Sequence, residues 1–487
     1  VGDWAAFGAA IKLHKYDREQ RRSMPHLQDC PKAELVVDAL FGIGLTRPMG
    51  FNDLLGLRFA ARMLSVDGKS VCIDLPSGIC ADSGRVLSDS AYYRPDKSYI
   101  PEPADLCVTF YRKKIGHVLA EGAAAVRKLI VVDIGLPSDL YNDRYDWGQE
   151  ITRARVLASS FRTARWSSGE RELGKSVSIF AKSNASNAAH KYGFGHALVV
   201  AGPSGRGGAA RLAARAALRV GAGLVTMNCP SSALIENAAK LDAVMLRAMD
   251  GAEALLDYLA NNQVNALCLG PGLGIDLARE LVPVALSGTS THATLRDCRL
   301  APSARLDKPI HLGNEHIFGR GVVLDADALT AYADDPETLF AMLHGRCVLT
   351  PHHGEFARLF PDLSAKLAEP PTKGPGYSKL DATRDASRRA GCTVLYKGAD
   401  TVVASKFGLG AVHSATRDRA TPWLATAGAG DVLAGLITGL LARGFHPHAA
   451  AETAAWLHVE CARSFGPGLI AEDLPEELPK VFRALGV

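Results

Sequence analysis

No two cysteines in this chain stand close enough in sequence to pair around a metal. All ten, Cys30, Cys72, Cys80, Cys107, Cys229, Cys268, Cys298, Cys347, Cys392 and Cys461, are scattered singly. A zinc site or disulfide framework is therefore not expected, and the thiols point to a reducing compartment. Long hydrophobic runs are missing as well: none reaches the ~18–20 residues that span a bilayer. Charge of one sign is scarce. The net charge is +4 over 487 residues, with no Lys/Arg cluster interleaved with aromatics, which excludes a dedicated nucleic-acid surface. There is no internal repeat, no low-complexity block and no Walker-type lysine loop, so any phosphate chemistry has to be assembled from other parts.

What is present is ordinary globular composition, 47% hydrophobic and 22% charged, in a chain too long for one hydrophobic core. The first ~140 residues alternate strand-like and helix-like segments. Apolar runs at Glu34–Leu40, Ser70–Asp74, Ala104–Phe110 and Leu129–Ile134 read as buried parallel strands followed by Gly- or Pro-rich turns. Residues 1–150 are thus expected to form a Rossmann-like parallel α/β sheet domain. Residues 151–190 are rich in Arg, Ser and Asn and read as a linker and domain entry. Residues 191–487 alternate again and form a second α/β domain, with Ser287–Asp307 as an exposed insertion.

The second half carries the densest chemistry. Thr421–Gly444, TPWLATAGAGDVLAGLITGLLARG, places Gly428 and Gly430 ahead of an apolar stripe at Val432, Leu433, Leu436, Ile437, Leu440 and Leu441. Bare N–H groups and the positive end of a helix dipole make such a turn an anion site. Asp431 stands in its middle, where a carboxylate is costly beside a phosphate unless it takes a proton from the group being phosphorylated. Alone, such a turn is more often a plain helix start with an N-terminal acid, and the rest of the chain has to move that reading. Four further clusters follow expected strands: AGPSGRGGAARLAARAALRVGAGLV from Ala201, LGPGLG at Leu269–Gly274, LTPHHGEFARLF at Leu349–Phe360, and YKGADTVVA at Tyr396–Ala404. The small residues Ala209, Ala210, Ala213 and Ala217 let either a helix or a ligand approach closely. His352, His353 and Glu355 gather at one strand end, and Lys397 and Thr401 flank Gly398 in a turn able to hold a phosphate. Strand-end loops of one sheet converge on one rim, so the clusters together read as a phosphoryl-transfer kit.

This ordered set, with LDADAL at Leu324–Leu329 and ATAGAGDVLAG, resembles the ribokinase-like dehydratase domain of NAD(P)H-hydrate repair enzymes from about Gly193 to the C-terminus. The resemblance implies that ADP or ATP, with Mg²⁺, phosphorylates the hydroxyl of a hydrated nicotinamide ring, and that loss of phosphate restores NADH or NADPH. Carried over by motif, Asp431 is the base. Lys397, Gly398, Ala399, Asp400, Thr401 and Gly430 bind the nucleotide, and Ala209, Gly272, Gly274, His352 and Asp431 line the hydrate site. Ala429 stands where the family often has Ser, a change the backbone tolerates. Fusion of two domains in one chain points, by resemblance, to ADP and to the cytoplasm, and the dehydratase family is often oligomeric.

In the first half, VVDALFGIGLTRPMG at Val36–Gly50 and VCIDLPSGICADSG at Val71–Gly84 place two strand-end acids, a hydroxyl and a Gly loop together. Such a set could hold a cation and an anionic ligand, or simply cap the following helices. With ADLCVTFYRKKIGHVL and VVDIGLP, up to Pro137, these segments resemble the epimerase domain of the same family, which interconverts the R and S hydrates with a potassium ion in its site. By motif, Asp38 and Ser77 are potassium ligands. Gly42, Ile43, Gly44, Leu45, Thr46, Arg47 and Pro48 cradle the substrate phosphates, and Asp74 contacts substrate in proton transfer. The family's N-N-G-G-D-G loop is absent; Val1–Ala6 reads as the start of the helix that follows it. The expectation is a piece of a longer protein with weak or no epimerase activity. Two rival readings remain, a ribokinase-type small-molecule kinase that leaves a stable phosphorylated product and a non-catalytic nucleotide-binding protein.

Overall fold

The computed structural model describes residues 32–50, 64–87, 103–136, 149–158, 161–167, 170–179, 182, 190–287, 310–312, 315–317, 320–371 and 374–487. The expected Ser287–Asp307 insertion falls almost wholly outside these residues, as does Val1–Ala6.

Strands β1 (Ala33–Asp38), β2 (Leu64–Ile73), β3 (Ala104–Phe110) and β4 (Val126–Val132) form a four-stranded sheet in that order, parallel throughout. The expected strands are all there. The centre is buried, with Cys72 and Cys107 in direct register and fully inaccessible. The edges differ from the buried reading of the sequence: Leu35, Val37 and Val131 are exposed on β1 and β4, which each have a strand neighbour on one side only.

The second sheet has ten strands. In chain order they are β5 (Gln149–Glu150), β8 (His196–Val200), β9 (Leu224–Cys229), β10 (Met245–Ala248), β11 (Ala266–Leu269), β14 (Gly321–Leu324), β15 (Cys347–Leu349), β16 (Thr393–Tyr396), β17 (Asp400–Ala404) and β18 (Gly410–Ser414). Two hairpins, β6–β7 (Phe161–Ser167, Glu170–Val177) and β12–β13 (Ile310–Leu312, Glu315–Ile317), stand apart from it. The spatial order is 10-9-8-11-14-15-16-17-18-5, parallel from β10 to β16 and antiparallel at β16–β17 and β17–β18. From β8 the chain runs outward one way through β9 and β10, then returns to β11 and runs the other way. The order therefore reverses between β8 and β11, and the crevice at the carboxyl ends of these strands is where such sheets bind ligands.

Helix α1 (Arg153–Ala158) lies in the segment read as a linker. Ile151 and Val156 are nevertheless buried in the core of the large sheet, and Gln149–Glu150 pairs with β18. The last two residues of the expected first domain and the start of the expected linker are thus built into the second domain. Two buried anchors five positions apart in a segment otherwise rich in Arg and Ser are too sparse to register as a periodic pattern.

Helix α2 (Gly207–Arg219) packs against α5 (Ala429–Ala442), which in turn packs against α6 (Pro447–Phe465). The sequence reads α5 as amphipathic. All six stripe residues are buried, but so are Ala434, Gly435, Thr438 and Gly439 on the other faces, so the helix is enclosed. Each large side chain so buried stabilises the fold by about 1.5–3 kcal/mol. Among the described residues no helix is long and apolar enough to cross a membrane.

The two sheets are joined by specific contacts. Val118 and Leu119 pack with Leu380, Val402 and Val412. Arg417, at a positive φ of 55°, donates to the carbonyls of Val126 (2.9 Å), His117 (2.7 Å) and Gly122 (3.1 Å). One guanidinium fork thus satisfies three carbonyls of the first half.

Candidate active sites at the strand ends

The five Gly-rich or polar clusters of the second half do meet. A Cβ on Gly202 would lie 1.9 Å from the Gly272 carbonyl oxygen, and one on Gly270 would lie 1.7 Å from that of Asp325. Only glycine permits such approaches, so the loops after β8, β11 and β14 lie backbone to backbone. The loop after β15 joins them through the Lys397 N–H, which donates to the Pro351 carbonyl at 2.9 Å. Gly428 opens α5 in the left-handed conformation at φ 89°. The first turn of α5 then points at this junction: a Cβ on Gly430 would sit 3.5 Å from Lys397 Nζ and 4.0 Å from Asp325 Oδ2.

Asp431 is the acid of that turn. Burial pushes its carboxyl up to about 6, reinforced by the negative charge of Asp325 and opposed by Lys397. A carboxylate with a value near neutrality can accept a proton under working conditions. Lys397 does not stand free for a phosphate. Its Nζ is 2.7 Å from Asp325 Oδ1 and 3.7 Å from Glu355 Oε2. Burial alone would lower its pKa, but Asp325 and Glu355 outweigh that and hold the ammonium above its ordinary value.

The His352–His353–Glu355 cluster divides into three roles. His352 caps the helix α3 (His353–Leu359), its Nδ1 accepting from the N–H groups of Gly354 (2.9 Å) and Glu355 (3.3 Å). The His352 ring stays largely exposed, with its Nε2 3.5 Å from Glu355 Oε1. His353 turns away to the Tyr396 hydroxyl at 2.8 Å. Glu355 is buried and faces Lys397. The Lys397–Thr401 turn is pinned from below by Lys379, at the start of helix α4 (Lys379–Ala390), which donates to the carbonyls of Lys397 and Asp400 and to Asp400 Oδ1. Asp400 Oδ2 accepts the Ala120 N–H of the first half at 3.1 Å. Thr401 Oγ1 donates to the Gly398 carbonyl at 2.8 Å. Ala209 lies half-buried in the first turn of α2, where Gly272 approaches it: a Cβ on that glycine would be 3.5 Å from Ala209 Cβ. Gly274 donates its N–H to Asp327 Oδ2 at 2.8 Å.

In the first sheet, Asp38, at the end of β1, accepts both from the Ser77 N–H (2.7 Å) and from its hydroxyl (2.5 Å), while Ser77 Oγ accepts the Phe41 N–H at 3.0 Å. Asp74, at the end of β2, has φ 61°, a conformation that non-glycine residues seldom adopt. It is held there by its N–H, bonded to the Val108 carbonyl at 2.8 Å, and by His117 Nε2, 2.6 Å from its carbonyl. His117 Nδ1 accepts the Lys114 N–H at 2.9 Å, so Nε2 carries the proton. The Asp74 carboxylate meets Thr109 Oγ1 at 3.2 Å and Lys114 Nζ at 3.4 Å. A Cβ on Gly42 would lie 3.5 Å from Asp74 Oδ2, so the Gly42–Pro48 loop backs onto this acid.

The sequence reading gathered Glu355 with His352 and His353 at a strand end but gave it no role of its own, and it assigned no role in a site to Asp325, Asp327, Thr109, Lys114 or His117. Position at a strand end was the available signal for Asp325 as well, and for the other four only the folded geometry supplies one.

Residues 197–288 and 311–480 match the family model of NAD(P)H-hydrate dehydratase, and residues 4–116 match that of the YjeF-related protein N-terminus. The chain is 32% identical to a bifunctional NAD(P)H-hydrate repair enzyme of Moorella thermoacetica, over 93% of this chain and 73% of the relative. It is 31% identical to another from Gloeobacter violaceus, over 88% of this chain and 70% of the relative. A solved ribokinase-like superfamily protein from Enterococcus faecalis aligns with 71% of this chain and 99% of its own, at 18% identity and a TM-score of 0.47. The chain belongs to the family of bifunctional NAD(P)H-hydrate repair enzymes.

Proposed function

We propose that this protein repairs hydrated nicotinamide nucleotides, dehydrating the S hydrates of NADH and NADPH at the expense of ADP or ATP and interconverting the R and S hydrates in its first half. The observation that carries the dehydratase reading is Asp431: a half-buried acid, pushed up to about 6, in the first turn of a helix whose N–H groups are open to an anion. Asp431 takes the proton of the ring hydroxyl as its oxygen attacks the terminal phosphorus, and the nucleotide leaves one phosphate shorter. Departure of inorganic phosphate, with loss of a proton from the adjacent ring carbon, regenerates the double bond. Gly430 and the Lys397–Thr401 turn receive the nucleotide, while Ala209, Gly272, Gly274 and His352 line the hydrate. Fused family members favour ADP, and a cytoplasmic setting and homo-oligomer fit the same reading.

Mg²⁺ enters with the nucleotide as counter-ion to its phosphates. Among the described residues no group of three or more His, Cys, Asp or Glu side chains is arranged to hold a metal, so we assign it no protein ligand. In the first half, Asp74 is the proton-transfer group, supported by the Thr109 and Lys114 contacts to its carboxylate. Asp38 and Ser77 would hold potassium. The donors there, a carboxylate, a hydroxyl and the Phe41 carbonyl 3.4 Å from Ser77 Oγ, are all oxygens, as a hard cation requires. The domain limits follow the same division, with the four-stranded sheet as the epimerase unit and the ten-stranded sheet, which takes in Gln149–Glu150, as the dehydratase.

An equal mixture of R and S hydrates tests both activities at once. With Mg²⁺ and ADP or ATP in separate reactions, the S half should be converted to reduced nucleotide at the faster rate. Conversion past half then reports the epimerase, and an arrest at half reports its loss. No conversion with either nucleotide would reject the dehydratase reading.

A further inference from the structure

We propose that Asp325 is a positioning residue that holds Lys397 off Asp431, leaving the base free to accept a proton; this rests on the reading of Asp431 as the base. Asp325 and Asp327 leave the end of β14 with opposite tasks. Asp327 reaches Gly274 N–H at 2.8 Å, while Asp325 turns inward to Lys397 Nζ at 2.7 Å. The residue between them, Ala326, sits at φ 46° and ψ −115°, a backbone conformation that an alanine adopts only when its surroundings impose it. That turn is held on either side. The Asp325 N–H donates to the Leu269 carbonyl at 3.1 Å, and the Ala328 N–H returns to the Asp325 carbonyl at 3.0 Å. The strain places an aspartate side chain, 2% exposed, against one particular ammonium.

That ammonium matters because of where it stands. Lys397 Nζ lies 3.5 Å from the point where a Gly430 side chain would begin, in the same helical turn as Asp431. The charges that act on Asp431 are Asp325 and Asp327 from the loop after β14, Glu355 from α3 and Lys397 from the loop after β16. From α6, His458 faces this turn, with its Nε2 2.8 Å from the Ala429 carbonyl oxygen. The other cation-binding acid, Glu355, is partly engaged already, accepting the His352 N–H at 2.8 Å and standing 3.7 Å from Lys397. Without the Asp325 charge, Lys397 would turn its attraction on Asp431, and a carboxylate paired with an ammonium is a weaker base.

The test is the pH dependence of dehydration in the full chain, with S hydrate, Mg²⁺ and nucleotide. Asp325→Asn is expected to move the acid limb of kcat down by one pH unit or more and to lower kcat at neutral pH at least tenfold. KM for the nucleotide should change by less than threefold. Lys397→Gln should move the same limb upward, and on that background Asp325→Asn should move it down by less than in the wild-type chain, leaving only the direct loss of the Asp325 charge. The Lys397→Gln profile keeps the proposal testable if Asp325→Asn fails to fold. An acid limb unmoved in both single variants, or moved the same way in both, would overturn it. So would a raised Mg²⁺ requirement in Asp325→Asn without a shift of the limb, which would make Asp325 a metal ligand. If instead Asp431→Asn keeps full turnover, it is the reading of the base that fails.

Discussion

Asp431→Asn is expected to lower dehydratase turnover by about a thousandfold, within the roughly 10²–10⁴ range that a positioned base supplies, while nucleotide affinity stays within a few-fold. The amide keeps the size and polarity of the side chain but cannot accept the hydroxyl proton. The same substitution should make the protein more stable at neutral pH. The Asp431 carboxyl is pushed up to about 6 from an ordinary 3.8, chiefly by burial and next by Asp325. An acid whose folded value lies above its unfolded value is deprotonated first in the unfolded chain. Stability is therefore lost as pH rises from about 4 through about 6, and remains lost above that. Removing the charge recovers that loss, on the order of 1–2 kcal/mol after allowance for partial solvent access. The check is a pair of thermal melts, at pH 4 and at pH 8. Asn should raise the melting temperature at pH 8 and leave it nearly unchanged at pH 4. A catalytic acid held at a cost to the fold behaves this way; a helix-start acid of purely structural role would destabilise when removed.

Gly435→Val is expected to be severely damaging although it lies outside the sites. A Cβ at Gly435 would lie 2.2 Å from the Ala213 carbonyl oxygen and 2.6 Å from Ala213 Cα; one at Gly439 would lie 2.4 Å from Val220 Cγ1 and 2.5 Å from the Ala217 carbonyl oxygen. At Gly435 both partners are helix backbone and cannot rotate away, so α2 and α5 must separate. The core between them includes Ala210, Ala213, Ala217, Val432, Leu436 and Leu440, all buried. Opening it combines overpacking with lost dispersion and costs about 4 kcal/mol or more. Denaturant unfolding should show a midpoint shift of that size, or no folded second domain. Because α5 carries Asp431 at its first turn, even a partly folded variant should lose activity. A wild-type midpoint would mean that the two helices are not in contact along these glycines.

The alanines of α2 thus serve helix packing along Ala210, Ala213 and Ala217, while Ala209, the neighbour of Ala210 on another face, is left to approach Gly272. The sequence offered both uses for this segment and could not divide them, because alanine spacing looks the same whichever surface approaches. Similar limits explain the other differences. The stripe on α5 was legible because Val, Leu and Ile dominate the count, but glycine and alanine carry little hydrophobic signal and hid the burial of the remaining faces. The convergence of five loops was legible because strand-end glycines and the parallel sheet together dictate one rim. The Asp325–Lys397 pair was not, since it depends on an alanine held in an unfavourable backbone conformation, which no residue type announces. Arg417 is a further case. Three carbonyls of the first half converge on a side chain some three hundred residues away, and nothing local to either segment marks the contact.

The central claim is that the hydroxyl phosphorylated at Asp431 belongs to a damaged nicotinamide ring and that phosphate then leaves. The most direct measurement follows S hydrate with nucleotide and Mg²⁺, recording reduced-nicotinamide absorbance and inorganic phosphate in the same sample. Recovery of absorbance with one phosphate released for each ring restored is the predicted result. Consumption of nucleotide with a stable phosphorylated product and no recovery of absorbance would contradict it and point to a small-molecule kinase.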